Sequence, residues 1–375
     1  MSLLFWAFVS LVAYSYCGYP LLLFILALVP RRPIMKADIT PRVTVIIAAF
    51  NEEKDIRRKI MGILAQEYPR DRLEIIVASD GSTDGTAREV SAVRDRRVRL
   101  LEFAERRGKT AVQNEAVKKA SGEIIVFSDA TTRYDPQVIR TLMRNFADPA
   151  VGAVGGELSY ESDTGNSAGE GGGLYWRYER WIKRMESRVN SLIGVSGCCY
   201  AVRRRLYDDI PRDLISDFVI AQMMYRKGRR TVYEPGAVSY ESTSESFADE
   251  FSMRVRVAVR TLHGLWRMRS LMNPLRYGFF SVQLISHKVF RYLIPVFLAG
   301  ALVCNAALLG RNPVYSVTFA LQCAFYLSVM AGWFWKEKRL ISVPFYFFIT
   351  NMALMVAFFR FLKGDRQVLW KPIRK

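Results

Sequence analysis

The stretch Val43-Thr-Val-Ile-Ile-Ala-Ala-Phe-Asn-Glu-Glu53 decides the fold. Val43–Ala49 is an unbroken apolar and β-branched run. A half-exposed strand alternates polar and apolar residues, so a continuous run predicts a strand covered on both faces. It ends abruptly in polar residues. Open parallel sheets bind ligands beyond the carboxyl ends of their strands, which is where Asn51 and Glu53 stand. Both residues also suit the first turn of a helix, so a capping role stays open beside the binding one.

The same pattern recurs further along the chain. Ile75-Ile-Val-Ala-Ser-Asp80-Gly-Ser-Thr-Asp-Gly85 is a second strand running into polar residues. A carboxylate at Asp80 can accept the ring N–H of a pyrimidine base, whereas Asp84 suits a turn or a helix cap. Ile124-Ile-Val-Phe-Ser-Asp129-Ala-Thr-Thr132 delivers one carboxylate and two hydroxyls to the same expected edge. That is a sparse metal site, and magnesium tolerates one because it keeps several waters. With a further run at Val98–Phe103 and amphipathic stretches over 53–66 and 109–120, the rhythm is strand, helix, strand. It predicts an α/β domain with a mostly parallel sheet under helices. The chain has no Gly-x-Gly-x-x-Gly and no Walker sequence, which disfavours a dinucleotide fold or a P-loop. Residues 162–173, rich in Gly and Ser, read equally as a linker or as a mobile loop over a site.

The chain has 375 residues and a formal net charge of +19, from 54 Lys and Arg against 35 Asp and Glu. Nucleic acid, anionic lipid and an anionic small molecule would each suit that charge. The basic residues cluster beside apolar segments, so a lipid bilayer is the expected partner and nucleic acid is not. Five cysteines lack metal-ligand spacing and read as small buried hydrophobes in a reducing compartment.

Residues 1–30 carry no charged side chain and precede Arg31-Arg32, which predicts a retained anchor with its basic end in the cytosol. Residues 41–243 form the expected α/β domain. Residues 244–290 are basic and interrupted by aromatics, as in interfacial amphipathic helices. Residues 291–361 hold the C-terminal apolar region, with candidates over 278–309, 314–335 and 340–361. Lys336-Glu337-Lys338-Arg339 is expected to be a cytosolic loop, and 362–375 a basic tail. Three full crossings would leave that tail outside, against the positive-inside rule, so one segment is expected to be re-entrant or interfacial.

In order, these motifs resemble the family-2 inverting glycosyltransferases, whose nucleotide-binding fold is called GT-A. The matching parts are the Asn-Glu after the first strand, Asp80-Gly-Ser-Thr-Asp-Gly-Thr86, Gly108-Lys109 with Asn114, Asp129-Ala-Thr131, and Leu214-Ile-Ser-Asp217-Phe. The resemblance covers about residues 41–260. Membrane segments flanking such a domain resemble the polysaccharide-synthase branch.

The resemblance implies transfer of a sugar from a nucleotide sugar, a UDP-sugar first, to a growing polysaccharide or lipid-linked glycan. It implies nucleotide-sugar contacts from Ala49, Asn51, Glu53, Asp80, Lys109, Asp129 and Arg256. Acceptor contacts would come from Gly197 and Cys198, and Mg2+ or Mn2+ would sit at Asp129 with Thr131. Asp217 would be the general base, its other role being an N-cap for a helix over 218–226. Two departures stand out. Thr131 replaces the usual acidic or amide metal ligand. Met253-Arg-Val-Arg256-Val257 keeps only the Arg of the branch's Gln-x-x-Arg-Trp, an Arg that can face the diphosphate. The tail segment Trp370-Lys-Pro-Ile-Arg374 is similar to donor-side segments of such synthases. The resemblance places the chain in a bacterial inner membrane with a cytosolic catalytic domain, beside polysaccharide export components. A polyprenyl-phosphate sugar synthase and a non-catalytic nucleotide-binding receptor are the rival expectations.

Overall fold

The computed structural model describes residues 1–29, 33–161, 168–242, 247–334 and 339–369. Arg31-Arg32, the first half (162–167) of the 162–173 stretch, Lys336-Glu337-Lys338 and Trp370-Lys-Pro-Ile-Arg374 therefore lie outside the described residues.

The chain opens with two apolar helices, α1 (Ser2–Ala13) and α2 (Tyr19–Ala27), joined through a π-helical turn. The α/β part follows: β1 (Val43–Ala49), α3 (Ile56–Leu64), β2 (Leu73–Asp80), α4 (Thr86–Ser91), β3 (Val98–Phe103), α5 (Lys109–Lys119) and β4 (Ile124–Asp129). Next come β5 (Arg133–Tyr134), α6 (Val138–Arg144), β6 (Val151–Glu161), α7 (Ala168–Val189), β7 (Cys199–Arg203), α8 (Ser216–Arg226) and β8 (Arg230–Ser242). The remainder is helical: α9 (Phe247–Arg267), α10 (Pro274–Tyr277), α11 (Phe279–Leu284), α12 (Arg291–Ala306), α13 (Pro313–Phe334) and α14 (Arg339–Leu362).

Among the described residues the sheet has eight strands in the order β3-β2-β1-β4-β7-β6-β8-β5. The first four run parallel, as the repeated strand-then-polar pattern predicts. β7 enters antiparallel between β4 and β6, which makes the sheet mixed. All seven residues of β1 are buried because helices cover both faces. Val45 and Ile47 pack in one layer with Ile56, Ile60 and Ile63 of α3. Ile46 and Ala48 pack in the other with Val112 and Ala116 of α5 and Phe218 of α8. Each such aliphatic side chain contributes about 1.5–3 kcal/mol when fully buried. This two-sided core holds the strand ends in fixed register.

Among the described residues, three helical stretches are long and apolar enough to cross a membrane: Ser2–Ala27, Phe279–Ala306 and Pro344–Leu362, with a shorter apolar helix at Pro313–Val329. α14 also packs along α9: Ala353 and Ala357 lie in one cluster with Val255, Ala258 and Val259. Beyond it the chain returns to the α/β part, where the Asp365 carbonyl lies 2.8 Å from His263 Nε2 and Arg366 pairs with Asp213 at 3.3 Å.

Candidate active site

Register alone brings three carboxyl ends together. Ala49 lies opposite Ser79, whose successor is Asp80, and Ala48 lies opposite Asp129. The loops beyond these ends are tied to each other. Asn51 Oδ1 accepts the Thr83 N–H at 2.8 Å, and Glu53 Oε2 accepts the Gly85 N–H at 2.9 Å. Asn51 adopts φ 55°, a left-handed conformation that Asn tolerates better than most side chains. Asp84 accepts from the Thr86 N–H at 3.0 Å, the turn role expected of it.

Asp80 is fully buried, and its carboxylate accepts the backbone N–H groups of Arg107 at 2.6 Å and Gly108 at 3.0 Å. It thereby fixes the loop that opens α5 while keeping acceptor capacity toward a ligand. On the same loop the Arg106 guanidinium lies 3.6 Å from the centre of the Phe50 ring. Gly108 has φ 94°, and a Cβ there would come 2.8 Å from the Val368 carbonyl oxygen. The tail beyond α14 thus crosses the loop that opens α5, beside Asp80.

Lys109 begins α5 and its ammonium pairs with Asp129. Burial works against the Lys109 charge, but Asp129 first and then Asp217 hold its pKa above the ordinary lysine value. Asp217 sits in the first turn of α8, half-buried, two positions after the N-cap residue. Ile215 is the N-cap, so the capping alternative for Asp217 does not hold in that form. Burial raises the Asp217 pKa, Lys109 and Arg260 oppose the rise, and Asp129 adds to it.

Gly197 lies beside the Asp217 carboxylate, and the Cys198 carbonyl accepts the hydroxyl of Ser128, the neighbour of Asp129. A Cβ on Gly197 would come 2.6 Å from Asp217 Oδ2. The Cys198 carbonyl accepts Tyr134 Oη at 2.9 Å, and burial holds its thiol far above the usual range. Arg256 is half-buried on α9, and burial lowers its pKa. Arg260, one turn on, is 6% exposed; burial draws its pKa down to about 10 while Asp217 pulls the other way. It donates to Thr110 Oγ1 at 3.0 Å and to the Leu214 carbonyl.

Sequence reasoning missed three members of this cluster: Arg260, Glu241 and Lys59. Glu241 on β8 hydrogen-bonds Thr131, and burial together with Asp129 pushes its pKa up to about 7. Lys59 donates to the Thr132 carbonyl at 2.6 Å, and burial lowers its pKa to about 8. Their motifs are unremarkable in sequence, and only the packing of α3, β8 and α9 brings them here. No group of three His, Cys, Asp or Glu positioned for a metal occurs among the described residues. Asp129, Glu241 and the Thr131 hydroxyl nonetheless form an all-oxygen set with two facing carboxylates, which suits a hard divalent cation that keeps waters.

The profile of Glycosyl transferase family 2 matches residues 44–210. A poly-beta-1,6-N-acetyl-D-glucosamine synthase of Staphylococcus aureus (strain COL) is 26% identical over 234 residues, covering 61% of this chain and 56% of the relative. An N-acetylglucosaminyltransferase of Azorhizobium caulinodans is 28% identical over 254 residues, covering 60% of each. The match therefore spans less than two thirds of these relatives' own lengths. Among solved structures, the mannosyltransferase PcManGT from Pyrobaculum calidifontis, in complex with GDP-Man and Mn2+, superposes with a TM-score of 0.73. The superposition covers 97% of this chain and 100% of that one at 23% identity, a likeness of fold. The strand-end carboxylates, the mixed mostly parallel sheet and these matches agree: residues 44–210 match glycosyltransferase family 2, and the fold is of the GT-A kind.

Proposed function

We propose that the chain is a membrane-bound inverting glycosyltransferase, transferring a hexosyl or N-acetylhexosaminyl group from a nucleotide sugar, first of all a UDP-sugar, to a glycan or lipid-linked acceptor. The observation that carries this is Lys109: its ammonium pairs with Asp129 and lies in the field of Asp217, joining the donor edge of the sheet to a carboxylate of raised pKa. A pure nucleotide receptor has no use for such a carboxylate.

In this reading the nucleobase lies in the cleft of Asp80, Phe50 and Arg106, reached by the loop of Asn51 and Glu53. Asp217 removes the proton of the acceptor hydroxyl. That oxygen forms its bond to the anomeric carbon as the bond from carbon to diphosphate oxygen breaks, and the electron pair leaves with the diphosphate. Lys109, Arg260 and Arg256 are the cations available to the charge that develops there. Mg2+ or Mn2+ would be held by Asp129, Glu241 and Thr131, and would offset diphosphate charge as a Lewis acid. Burial raises the Asp217 pKa and makes it a stronger base than a solvated aspartate, while Lys109 and Arg260 favour its ionised form.

We place the protein in a bacterial inner membrane with the α/β domain in the cytosol. Ser2–Ala27, Phe279–Ala306 and α13 would cross, and α14 would lie along α9 at the surface. This arrangement keeps the basic tail on the cytosolic side and resolves the crossing count. The test is nucleotide release from a panel of nucleotide sugars by the full chain in lipid, with and without metal. Absence of release from every donor would overturn the reading.

A further inference from the structure

Asp217 depends on its neighbours for its place. α8 has no side-chain N-cap among the described residues, so no cap of its own fixes the turn that carries the carboxylate. Two outside contacts do. The Val195 N–H donates to the Asp217 carbonyl at 3.1 Å, from the loop that also holds Gly197. Ser216, the residue before Asp217, donates its hydroxyl to Gln113 Oε1 of α5 at 2.8 Å and accepts the Tyr200 hydroxyl at 3.3 Å. The Tyr200 ring is stacked on Phe127 of β4, the ring centres 4.8 Å apart. Gln113 and Tyr200 are fully buried, and Ser216 is nearly so.

Gln113 is one of three polar side chains on one face of α5, at the i, i+3, i+4 spacing that aligns residues along a helix. Thr110 Oγ1 donates to the Leu214 carbonyl at 2.8 Å. Asn114 Nδ2 donates to the Ile210 carbonyl at 2.8 Å, and Asn114 Oδ1 accepts the Ile210 N–H at 3.2 Å. This face grips the segment 210–216 at three points and ends on the residue before the carboxylate. The N-terminal end of the same helix serves the donor edge. There the Gly108 N–H donates to Asp80 at 3.0 Å and Lys109 pairs with Asp129. One helix therefore registers the strand ends against Asp217.

A buried amide is costly where a leucine would pack, and Gln113 Nε2 has no hydrogen-bond partner among the described residues. The amide is kept for its oxygen, whose partner is Ser216. Directional polar contacts in a core fix one geometry, whereas apolar packing tolerates several.

We propose that Gln113 and Ser216 are positioning residues for the transfer, through which α5 sets Asp217 at a fixed place relative to the donor. The proposal rests on Asp217 being the base. Neither residue acts on substrate; each acts through the carboxylate beside Ser216.

The experiment measures nucleotide release by the full chain in lipid for whichever nucleotide sugar of the panel is turned over. Uridine diphosphate affinity and Tm are read alongside. Ser216→Ala removes one oxygen and places a better helix former in α8, so the helix itself is not weakened. Ser216→Ala and Gln113→Leu should each lower kcat by about tenfold or more, the scale of a misplaced reacting group, with donor KM and nucleotide affinity near wild type. Added to Asp217→Asn, Ser216→Ala should cost about twofold at most, because no base is left to place. Ordinary kcat in Ser216→Ala overturns the proposal. So does the same fractional loss in both backgrounds, or nucleotide affinity falling in step with kcat, since either marks the contacts as general support for the fold. Asp217→Asn assayed alone separates the two failures. Ordinary turnover there removes the base itself, whereas a slow Asp217→Asn beside an ordinary Ser216→Ala sinks the positioning role alone.

Discussion

Gly197 lies directly against the carboxylate of Asp217, so close that a Cβ on it would come 2.6 Å from Oδ2. Such a contact forces the carboxylate aside, because real Cβ atoms do not approach oxygen that closely. Gly197→Ala should therefore lower turnover by about 10²-fold, the cost of displacing a reacting group by about an ångström. Donor KM should stay near the wild-type value. Steady-state kinetics decides; an alanine variant with ordinary turnover would mean that Asp217 is not the proton acceptor.

Replacing the base itself separates chemistry from binding. Asp217→Asn keeps shape and removes proton affinity, so turnover should fall by roughly 10² to 10⁴ with donor binding retained. The raised pKa of Asp217 adds a pH signature. The ionised form is the active one, so wild-type turnover should rise with pH along an acid limb displaced above the ordinary aspartate value of roughly 4. Glu241 titrates nearby, so the limb should be compared in a Glu241→Gln background.

Glu241 gives a linkage test independent of activity. Its ordinary pKa is 4.5 and its folded value is about 7, so folding favours its protonated form. The stability this contributes is complete below pH 4.5 and is lost as pH rises through 7. A bound divalent cation favours the ionised pair of Asp129 and Glu241, so Mn2+ should raise the Tm more at pH 8 than at pH 5. Asp129→Ala and Glu241→Gln should each abolish that increment. An equal increment in the variants would place any metal elsewhere.

The tail offers a further check. Removing residues 364–375 frees the Asp80 edge from Val368 and breaks the pair of Arg366 with Asp213. Donor affinity should fall without loss of the fold, as read by calorimetry with uridine diphosphate and by thermal melting. Asp80→Ala should weaken the same ligand by about 1.5–3 kcal/mol, in part because the Arg107 and Gly108 N–H groups lose their acceptor.

Arg260 and Arg256 are separable. Arg260 is buried beside Asp217 and braces the Leu214 carbonyl, so Arg260→Lys should reduce turnover and shift the acid limb upward, since one cation opposing protonation of Asp217 is weakened. Arg256→Ala should lower turnover more than donor affinity if that side chain meets the leaving diphosphate. Unchanged turnover would leave Arg256 as part of the interfacial face of α9.

The sequence by itself determined the parallel half of the sheet and the carboxylates at its edge. An unbroken Val43–Ala49 run is legible as a strand covered on both faces, and a polar residue at a strand end is local information. Asp80 and Asp129 could be named because each ends such a strand, whereas Lys109 and Asp217 were named only by the family resemblance. The antiparallel entry of β7 was not legible, since pairing partners distant in sequence leave no local trace. Tertiary structure alone brought Glu241 to Thr131 and Arg260 to Asp217, each through elements far apart in the chain. It also set the raised pKa of Asp217, because burial and the field of Lys109 are properties of the packed molecule. The side of the tail followed the same rule: hydropathy marks α14 as apolar enough to span, while its packing along α9 and the contact of Val368 with Gly108 return the chain to the catalytic face.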